Sequence, residues 1–237
     1  MNKISRFTAT LLLLCPFMLR ATPAIDVLID SFTTPQSAPG GADTRNVADG
    51  GGILGGERDS ISFLTLSANG TVPGQLRVAF PNGLLTGRAG ADITYDGVDG
   101  NPSYSYFGGL GSVDLTQGGV NDRFRFDITS VTGSAILSID VFSVNHGSSI
   151  QLNLPNGPGL FDVPFSAFTA HGSPFAFPVD FHNVGYIDFH FNMAGGDAVV
   201  LDSIITTVPE PSSLTLITSV SAALLGMRRN KNRHRTS

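Results

Sequence analysis

The feature that most limits the possible folds is a two-residue alternation of apolar and polar side chains. In the segment 123–129, Phe or Ile alternates with charged and hydroxyl-bearing residues, and the segment 186–191 repeats the pattern. Successive side chains of a β-strand point to opposite faces, so this period predicts strands that are buried on one face only. Between residues 25 and 207 no segment shows sustained helical periodicity.

Short strand-like segments separated by turn formers extend over this whole region. Clusters of Gly, Asn, Asp and Pro lie between them, and 27 of the 28 glycines fall in this region. Strands and turns at roughly 8–12-residue spacing are typical of an antiparallel sandwich. We therefore predict one all-β domain over residues 25–207, an antiparallel jelly-roll-like sandwich. Further predicted strands are 61–66, 75–80, 136–144, 150–154 and 199–206.

Charge separates the chain into three parts. Only six of the 14 basic residues lie between residues 25 and 209, all of them arginine, together with eighteen of the 19 acidic residues. The resulting net charge of −12 would repel nucleic acid, so nucleic-acid binding is excluded. Cys15 is the single cysteine. The central domain therefore has no disulfide, thiol nucleophile or cysteine metal site.

The first 24 residues have the pattern of a secretion signal. Two basic residues precede an uncharged stretch at 7–19, and small residues follow up to Ala24. We predict a signal peptide over residues 1–24, which signal peptidase removes after Ala21 or Ala24. Cys15 is a poor candidate for lipid attachment, because a leucine rather than a small residue precedes it.

The last thirty residues contain three parts in a fixed order. A proline-bracketed glutamate is followed by an uncharged segment and a basic end. The prolines keep Glu210 extended, which is the shape that a protease cleft accepts. Fourteen helical residues at 214–227 would span roughly 21 Å, less than a bilayer core of about 30 Å, which suits transient membrane insertion better than a permanent anchor. The motif is Val208, Pro209, Glu210 and Pro211, and the basic tail is Arg228, Arg229, Lys231, Arg233 and Arg235.

This arrangement resembles the PEP-CTERM sorting signal, over residues 208–237. The resemblance implies a short C-terminal transmembrane helix whose basic end stays in the cytoplasm. It also implies processing by exosortase, a membrane protease, and delivery to the cell surface or extracellular matrix. The alternative is an ordinary single-pass tail that is never cleaved.

The central domain itself resembles, more weakly, jelly-roll modules related to carbohydrate-binding domains. Four segments carry this resemblance: an opening strand with Asp and Phe, a "PF..F" segment, an "NVG.I" strand and a closing strand. It supports the fold more than any ligand, because function depends on a site rather than on a fold. The four segments are 29–32, 163–168, 181–187 and 201–204.

Two groups of oxygen-bearing side chains are candidate cation ligands. Asp96, Asp99 and Asn101 lie within six residues among glycines and could bind Ca²⁺, although the closing glutamate of an EF-hand loop is missing. Asp-Gly pairs are also ordinary hairpin turns. A second hypothesis pairs Asp30 with Asp202, one from each end of the domain.

A tyrosine-rich loop is the candidate glycan contact. Tyr104 and Tyr106 lie among glycines, where exposed rings could stack on sugar faces. Against this, the chain has no tryptophan, and the two rings could instead cap one edge of the core.

Catalytic motifs are absent from the sequence. No Gly-x-Ser-x-Gly elbow and no His-Glu-x-x-His helix occurs. His190 is predicted to face solvent from a strand, and His182 beside Asp180 could be a base with its orienting acid, but no nucleophile accompanies them. The charged segment 57–59 is predicted to form a turn before the strand at Ile61.

These patterns predict an exported, non-enzymatic protein, a structural component of the cell surface or extracellular matrix. The alternative is a glycan-binding module for extracellular polysaccharide. A hydrolase, which would need a carboxylate cluster in a cleft, is a third hypothesis.

Cleavage at the C-terminal motif is testable by intact-mass analysis of protein released from the surface of the producing cells. Because the prolines hold Glu210 in a cleavable conformation, we expect a species that ends near this residue. Replacing Glu210 by Gln keeps the chain length and serves as the matched variant. A released species that retains Arg235 would contradict the predicted cleavage.

Overall fold

The computed structural model describes residues 25–38, 43–49, 51–62, 65–68, 72–80, 88–101, 109–172, 174–175 and 177–208. The predicted signal peptide, residues 209–237 of the predicted sorting signal, and Tyr104 and Tyr106 lie outside these residues. Within the described part, no helix has the length and apolar character needed to cross a membrane. The predicted span at 214–227 is outside that part and stays a prediction.

The described residues form fourteen strands in two sheets. The strands are β1 (Val27–Asp30), β2 (Gln36–Ala38), β3 (Asp43–Ala48), β4 (Glu57–Ser62), β5 (Thr65–Ala68), β6 (Leu76–Ala79), β7 (Arg88–Tyr95), β8 (Arg123–Thr132), β9 (Ile136–Ser143), β10 (His146–Asn153), β11 (Gly159–Pro164), β12 (Thr169–Ala170), β13 (Tyr186–Ala194) and β14 (Ala198–Thr207). The first sheet has the order β11-β8-β14-β6-β5-β2, with β1 also paired to β14. The second sheet has the order β12-β10-β9-β13-β7-β4-β3. Paired strands run antiparallel in both sheets, and the predicted all-β sandwich is confirmed.

The core lies between the two sheets, and phenylalanine rings from both sheets meet there. Phe124 and Phe126 of β8 are fully buried, as their alternation with charged residues predicts. Both pack edge-on against Phe189 of β13, with ring centroids 5.8 Å and 5.5 Å apart. Edge-to-face pairs of this kind add to the free energy gained by burying the rings. This contact fixes which side chains of β13 point into the core, and therefore also which side chains point outward.

A buried ion pair also connects the two sheets. Arg58 of β4 donates through Nη1 to Asp30 Oδ2 of β1 at 2.6 Å, and both side chains have no solvent exposure. Tyr95 of β7 donates its hydroxyl to the same oxygen at 2.8 Å. The Arg58 Nε donates to Gln36 of β2 at 2.7 Å, and Nη2 donates to the backbone carbonyl of Thr34 at 2.8 Å. Every polar group of this pair that the core encloses therefore has a partner.

The turn predicted for residues 57–59 is wrong. These residues begin β4, and each of the three is at most 1% exposed. Charged residues in sequence suggested a solvated turn, but the strand period sends Arg58 inward to Asp30 and the two acids outward. An isolated charge is costly to bury, and it is the ion pair that makes the inward position tolerable.

The two ends of the domain lie side by side. Val27 of β1 is opposite Thr206 of β14 in the first sheet. Asn121 reinforces this pairing, because its side-chain amide donates to the carbonyls of Ile25 at 3.0 Å and of Thr206 at 3.2 Å. The chain therefore enters and leaves the sandwich at the same end.

Replacing Arg58 by Met should destabilise the fold by about 3–5 kcal/mol, because removing one partner leaves the other charge buried without compensation. Urea unfolding of the purified protein measures this change. Arg77→Met is the matched control, since Arg77 is exposed on β6, and it should change the free energy of unfolding by less than about 0.5 kcal/mol. Equal effects of the two substitutions would contradict a special role of the buried pair.

Candidate functional site

A row of polar residues crosses the outer face of the second sheet. Each of its seven strands contributes one member, and neighbouring members are direct cross-strand partners. At about 4.8 Å between strands, the row extends over roughly 29 Å. We call it the polar row, and its members in strand order are Asn46, Asp59, Thr94, Asp188, Asp140, Ser149 and Thr169.

Strand alternation places this row on the outer face. Asp188 lies between Ile187 and Phe189, both of which are fully buried in the core. The same alternation applies to Asp140 on β9, whose neighbours Ile139 and Val141 are fully buried. Because successive side chains of a strand point to opposite faces, the carboxylates point away from the core.

Hydrogen bonds hold the carboxylates of this face in fixed positions. Thr94 donates its hydroxyl to Asp188 Oδ1 at 3.0 Å, and His171 Nε2 lies 2.8 Å from Asp140 Oδ1. In the adjacent cross-strand row, His190 Nδ1 forms a hydrogen bond with Asp92 Oδ1. The face is therefore organised before any ligand arrives, which lowers the entropic cost of binding.

Several of these groups are partly withdrawn from solvent yet still reachable. The side chains of Asp92 and Asp140 are 28% and 27% exposed, and those of His190 and His171 are 33% and 32% exposed. Thr94 and Asp188, by contrast, are buried.

Gly90 allows the histidine of this face to lie against the sheet. A Cβ atom at Gly90 would be 2.4 Å from Cε1 of His190, which is closer than non-bonded carbon atoms approach. Any other residue at this position of β7 would displace the imidazole. The hydrogen bond between His190 and Asp92 depends on that glycine.

Proximity and burial shift the pKa values of these groups. Burial raises the pKa of Asp188 well above its usual range, and the charges of Asp92 and Asp140 add to this effect. The hydrogen bond to Asp92 raises the pKa of His190. Strongly perturbed groups that lie together on one face mark it as a candidate functional site.

Aromatic rings line one end of this face. Phe142 of β9 stacks on the imidazole of His171 with centroids 5.0 Å apart, and it also contacts Phe175 at 4.9 Å and Tyr186 at 5.5 Å. Farther along this edge, the side chain of Phe177 is 63% exposed. No pattern in the sequence identifies these rings, since their spacing along the chain is irregular and only the fold brings them together.

Four acidic residues meet at the opposite side of the face, near β4. Ligand atoms of Glu57, Asp59 and Asp99 all lie within 4.8 Å of one another. The fourth residue is Asp96, whose carboxyl lies beside that of Asp59. Burial, together with Asp96 and Glu57, raises the pKa of Asp59 to about 8. We call these four residues the acidic cluster.

The acidic cluster only partly matches the predicted cation ligands. Asp96 and Asp99 belong to it, whereas the exposed Asn101 contributes its backbone N–H, which donates to Asp99 Oδ1 at 2.7 Å. Glu57 and Asp59 were missed because the segment that contains them was predicted to be a turn. The strand period from residue 57 to residue 62 was the signal that could have identified them.

Two close backbone contacts fix the loop that carries Asp96 and Asp99. A Cβ atom at Gly97 would lie 2.0 Å from the carbonyl oxygen of Gly109, and one at Gly109 would lie 1.4 Å from the carbonyl oxygen of Asp96. Gly97 also has a φ of +91°, which favours glycine. The loop is therefore held against the segment that begins at Gly109.

The remaining predicted site residues are dispersed. Asp202 Oδ1 accepts hydrogen bonds from Gln75 and Thr129 on the first sheet, whereas Asp30 is bonded to Arg58 in the core, so the two carboxylates make separate contacts. His182 Nδ1 lies 3.2 Å from Asp180 Oδ1, and both side chains are more than half exposed. His190 is partly exposed on the outer face of its strand, as predicted.

No protein-family model and no curated protein matches the chain. Its structural neighbours include carbohydrate-binding modules, among them the solution structure of CtCBM11, with 16% identity and a TM-score of 0.42 over 80% of this chain and 99% of that one. A family 11 module from Clostridium thermocellum, in complex with a β-1,3-1,4-mixed-linked tetrasaccharide, has 16% identity and a TM-score of 0.37 over 77% and 95%. A family 29 module complexed with mannohexaose has 14% identity and a TM-score of 0.36 over 78% and 92%. The low sequence identities and TM-scores make these structural similarities weak.

The stability of the domain should depend on the charge of His190. Its pKa is raised in the folded state, where Asp92, Asp188 and Asp140 face it. Its contribution is therefore fully present below the unfolded value of about 6.5 and is lost as pH rises through the raised folded value. We expect the difference in free energy of unfolding between the wild type and His190→Gln to shrink over that pH range, as measured by urea unfolding.

The matched control for this pH dependence is His182→Gln, because His182 is more than half exposed beside Asp180. It removes a histidine from an exposed position and so controls for the loss of one imidazole. A constant difference for His190→Gln between pH 6 and 9 would contradict the proposed coupling with Asp92.

Proposed function

We propose that this chain is an exported, non-catalytic glycan-binding protein whose outer second-sheet face receives a polysaccharide. The observation that supports this best is the polar row, which crosses all seven strands of that sheet. A structural face without a ligand needs no such continuous band of polar groups, which are buried in the middle strands and more exposed toward both edges. A polymer with a hydroxyl group at regular intervals matches a band of this length.

The chemistry of the outer face suits hydroxyl-rich ligands. Ionised carboxylates accept hydrogen bonds only, and the hydroxyl groups of a sugar are donors as well as acceptors. Asp92 and Asp140 are each oriented by a histidine and remain more than a quarter exposed, so their free lone pairs can accept from a ligand. Hydrogen bonds to charged acceptors are stronger than those between neutral groups.

An exposed ring beside β10, at the edge of the second sheet, offers a second kind of contact. The exposed ring of Phe177 lies against the imidazole of His146, with centroids 5.6 Å apart. A ring that is supported on one side and open on the other can stack on the apolar face of a sugar. It would do so without tryptophan, which the chain lacks.

Electrostatics favours a neutral polysaccharide over a polyanionic one. Six arginines and eighteen acids between residues 25 and 209 give a net charge of −12, and this face carries several of the acids. A polymer rich in carboxylate or sulfate would be repelled by a surface of the same sign. The proposed ligand class is therefore a neutral, hydroxyl-rich extracellular polysaccharide.

The proposed route to the outside depends on both ends of the chain. The signal-peptide pattern of residues 1–24 supports export, and the PEP-CTERM-like end supports sorting to the cell surface or matrix by exosortase. A domain without cysteine needs no oxidative folding there. A structural role in the matrix without glycan binding is the competing function, and the high negative charge of the domain agrees with either one.

Retention of the purified full-length chain on the extracellular polysaccharide of the producing cells tests the proposal. We expect retention that a soluble neutral oligosaccharide competes away, with no release of reducing ends. Asp92→Asn and Asp140→Asn should each weaken retention by roughly 10- to 100-fold, because a hydrogen bond to a charged group contributes about 1.5–3 kcal/mol.

Asp202→Asn is the matched control, because it removes an acid from the first sheet, where Asp202 binds Gln75 and Thr129. It should leave retention unchanged. No retention of the wild type would leave the structural role, and release of reducing ends would overturn the non-catalytic assignment. Loss of retention in Tyr104→Ala and Tyr106→Ala alone would move the site to their loop.

A further inference from the structure

The members of the acidic cluster come from two separate parts of the chain, and hydrogen bonds hold these parts together. Glu57 and Asp59 come from β4, and Asp99 comes from the loop after β7. Glu57 draws this loop in, since its Oε2 accepts the backbone N–H groups of Asp99 at 2.9 Å and Gly100 at 3.1 Å. The loop is thus fastened in the position that brings a third carboxylate to the other two.

Asp59 lacks the partners that a buried carboxylate needs. The residue is only 1% exposed, and among the described residues neither carboxyl oxygen has a hydrogen bond of good geometry; the polar group beside it is the carboxyl of Asp96. The basic residue beside it, Arg58, points into the core and binds Asp30. A buried polar group without a hydrogen bond is costly, and buried carboxylates in proteins are normally paired or bound to metal.

The spacing of the carboxylates fits one hard cation. Ca²⁺ binds oxygen ligands at 2.3–2.6 Å, so two ligands of one ion are separated by at most about 5 Å. The ligand atoms of Glu57, Asp59 and Asp99 satisfy this limit, with no pair more than 4.8 Å apart. Asp99 is exposed while the other two are buried, which gives an ion a path from solvent.

We propose that Glu57, Asp59 and Asp99 bind one divalent cation, Ca²⁺, at the β4 end of the outer sheet face. The ligand set is irregular, with two carboxylates from a strand and one from a loop. Such a set suits the flexible coordination of Ca²⁺ better than the strict octahedron of Mg²⁺. Asn46 steadies the site by donating its side-chain amide to Glu57 Oε1 at 2.6 Å.

The bound cation joins β4 to the loop after β7. It supplies a partner to the carboxyl oxygens of Asp59, and it offsets the repulsion among carboxylates in the cluster. Cation binding should therefore stabilise the fold and protect the loop at residues 96–101 from proteolysis. These consequences do not depend on whether the sheet face binds a glycan.

Isothermal titration calorimetry of the chelator-treated full-length chain with CaCl₂, together with thermal unfolding, tests the proposal. We expect one saturable Ca²⁺ site, a rise in Tm with Ca²⁺, and a smaller response to MgCl₂. Asp59→Asn and Asp99→Asn should each weaken Ca²⁺ binding by at least about 10- to 100-fold. Removing a residue that only orients a metal ligand already lowers metal affinity by this factor.

Two comparisons keep the result unambiguous. Asp26→Asn removes one charge from an exposed position and should bind Ca²⁺ like the wild type. Without Ca²⁺, Asp59→Asn should not lower Tm, because it replaces a buried carboxyl among other carboxyls with a neutral group of the same shape, whereas a merely structural carboxyl would leave the variant less stable. Unchanged Ca²⁺ binding in Asp99→Asn, no binding by the wild type, or equal responses to Ca²⁺ and Mg²⁺ would each overturn the assignment.

Discussion

The ion pair between Arg58 and Asp30 is the constraint on which the rest of the structure depends. It fixes β4 of the second sheet against β1 of the first, within a core that is otherwise aromatic and aliphatic. Burial and the charge of Asp30 raise the pKa of Tyr95 well above its usual range, so its hydroxyl stays a donor to the pair. Because Arg58 must point inward, the strand period sends Glu57 and Asp59 outward. The acidic cluster is thus a geometric consequence of the buried pair.

The outer face of the second sheet shows how sheet register can assemble a site from distant residues. Asp188 and Asp140 are 48 positions apart in the chain, and each is a cross-strand neighbour of the other. A shift of one residue in any strand would turn its member of the polar row into the core. The phenylalanine contacts of β8 with β13 oppose such a shift, so the packing of the core also maintains the outer face.

The fold was largely predictable from sequence, and the site was not. Strand alternation in segments such as 123–129 and 186–191 predicts both the sandwich and the inward position of Phe124 and Phe126, because a period of two depends only on local geometry. The polar row depends on which strands are neighbours, and no local pattern contains that information. Asp59 was misassigned because charge suggested a turn, whereas only the tertiary position of Asp30 explains why a charged segment forms a buried strand. The function that we propose is accordingly the glycan-binding alternative, whereas the sequence alone suggested a structural component first.

The pairing of Ile25 and Thr206 through Asn121 has a mechanical consequence. Attachment to a membrane through either flanking segment would hold the domain by the same end. The far end would then point outward whichever flank is cut first. Since β14 ends at Thr207, only Val208 and Pro209 separate the last strand from the proline-bracketed glutamate. An enzyme that cuts beside Glu210 would have to reach a bond three residues from the last strand.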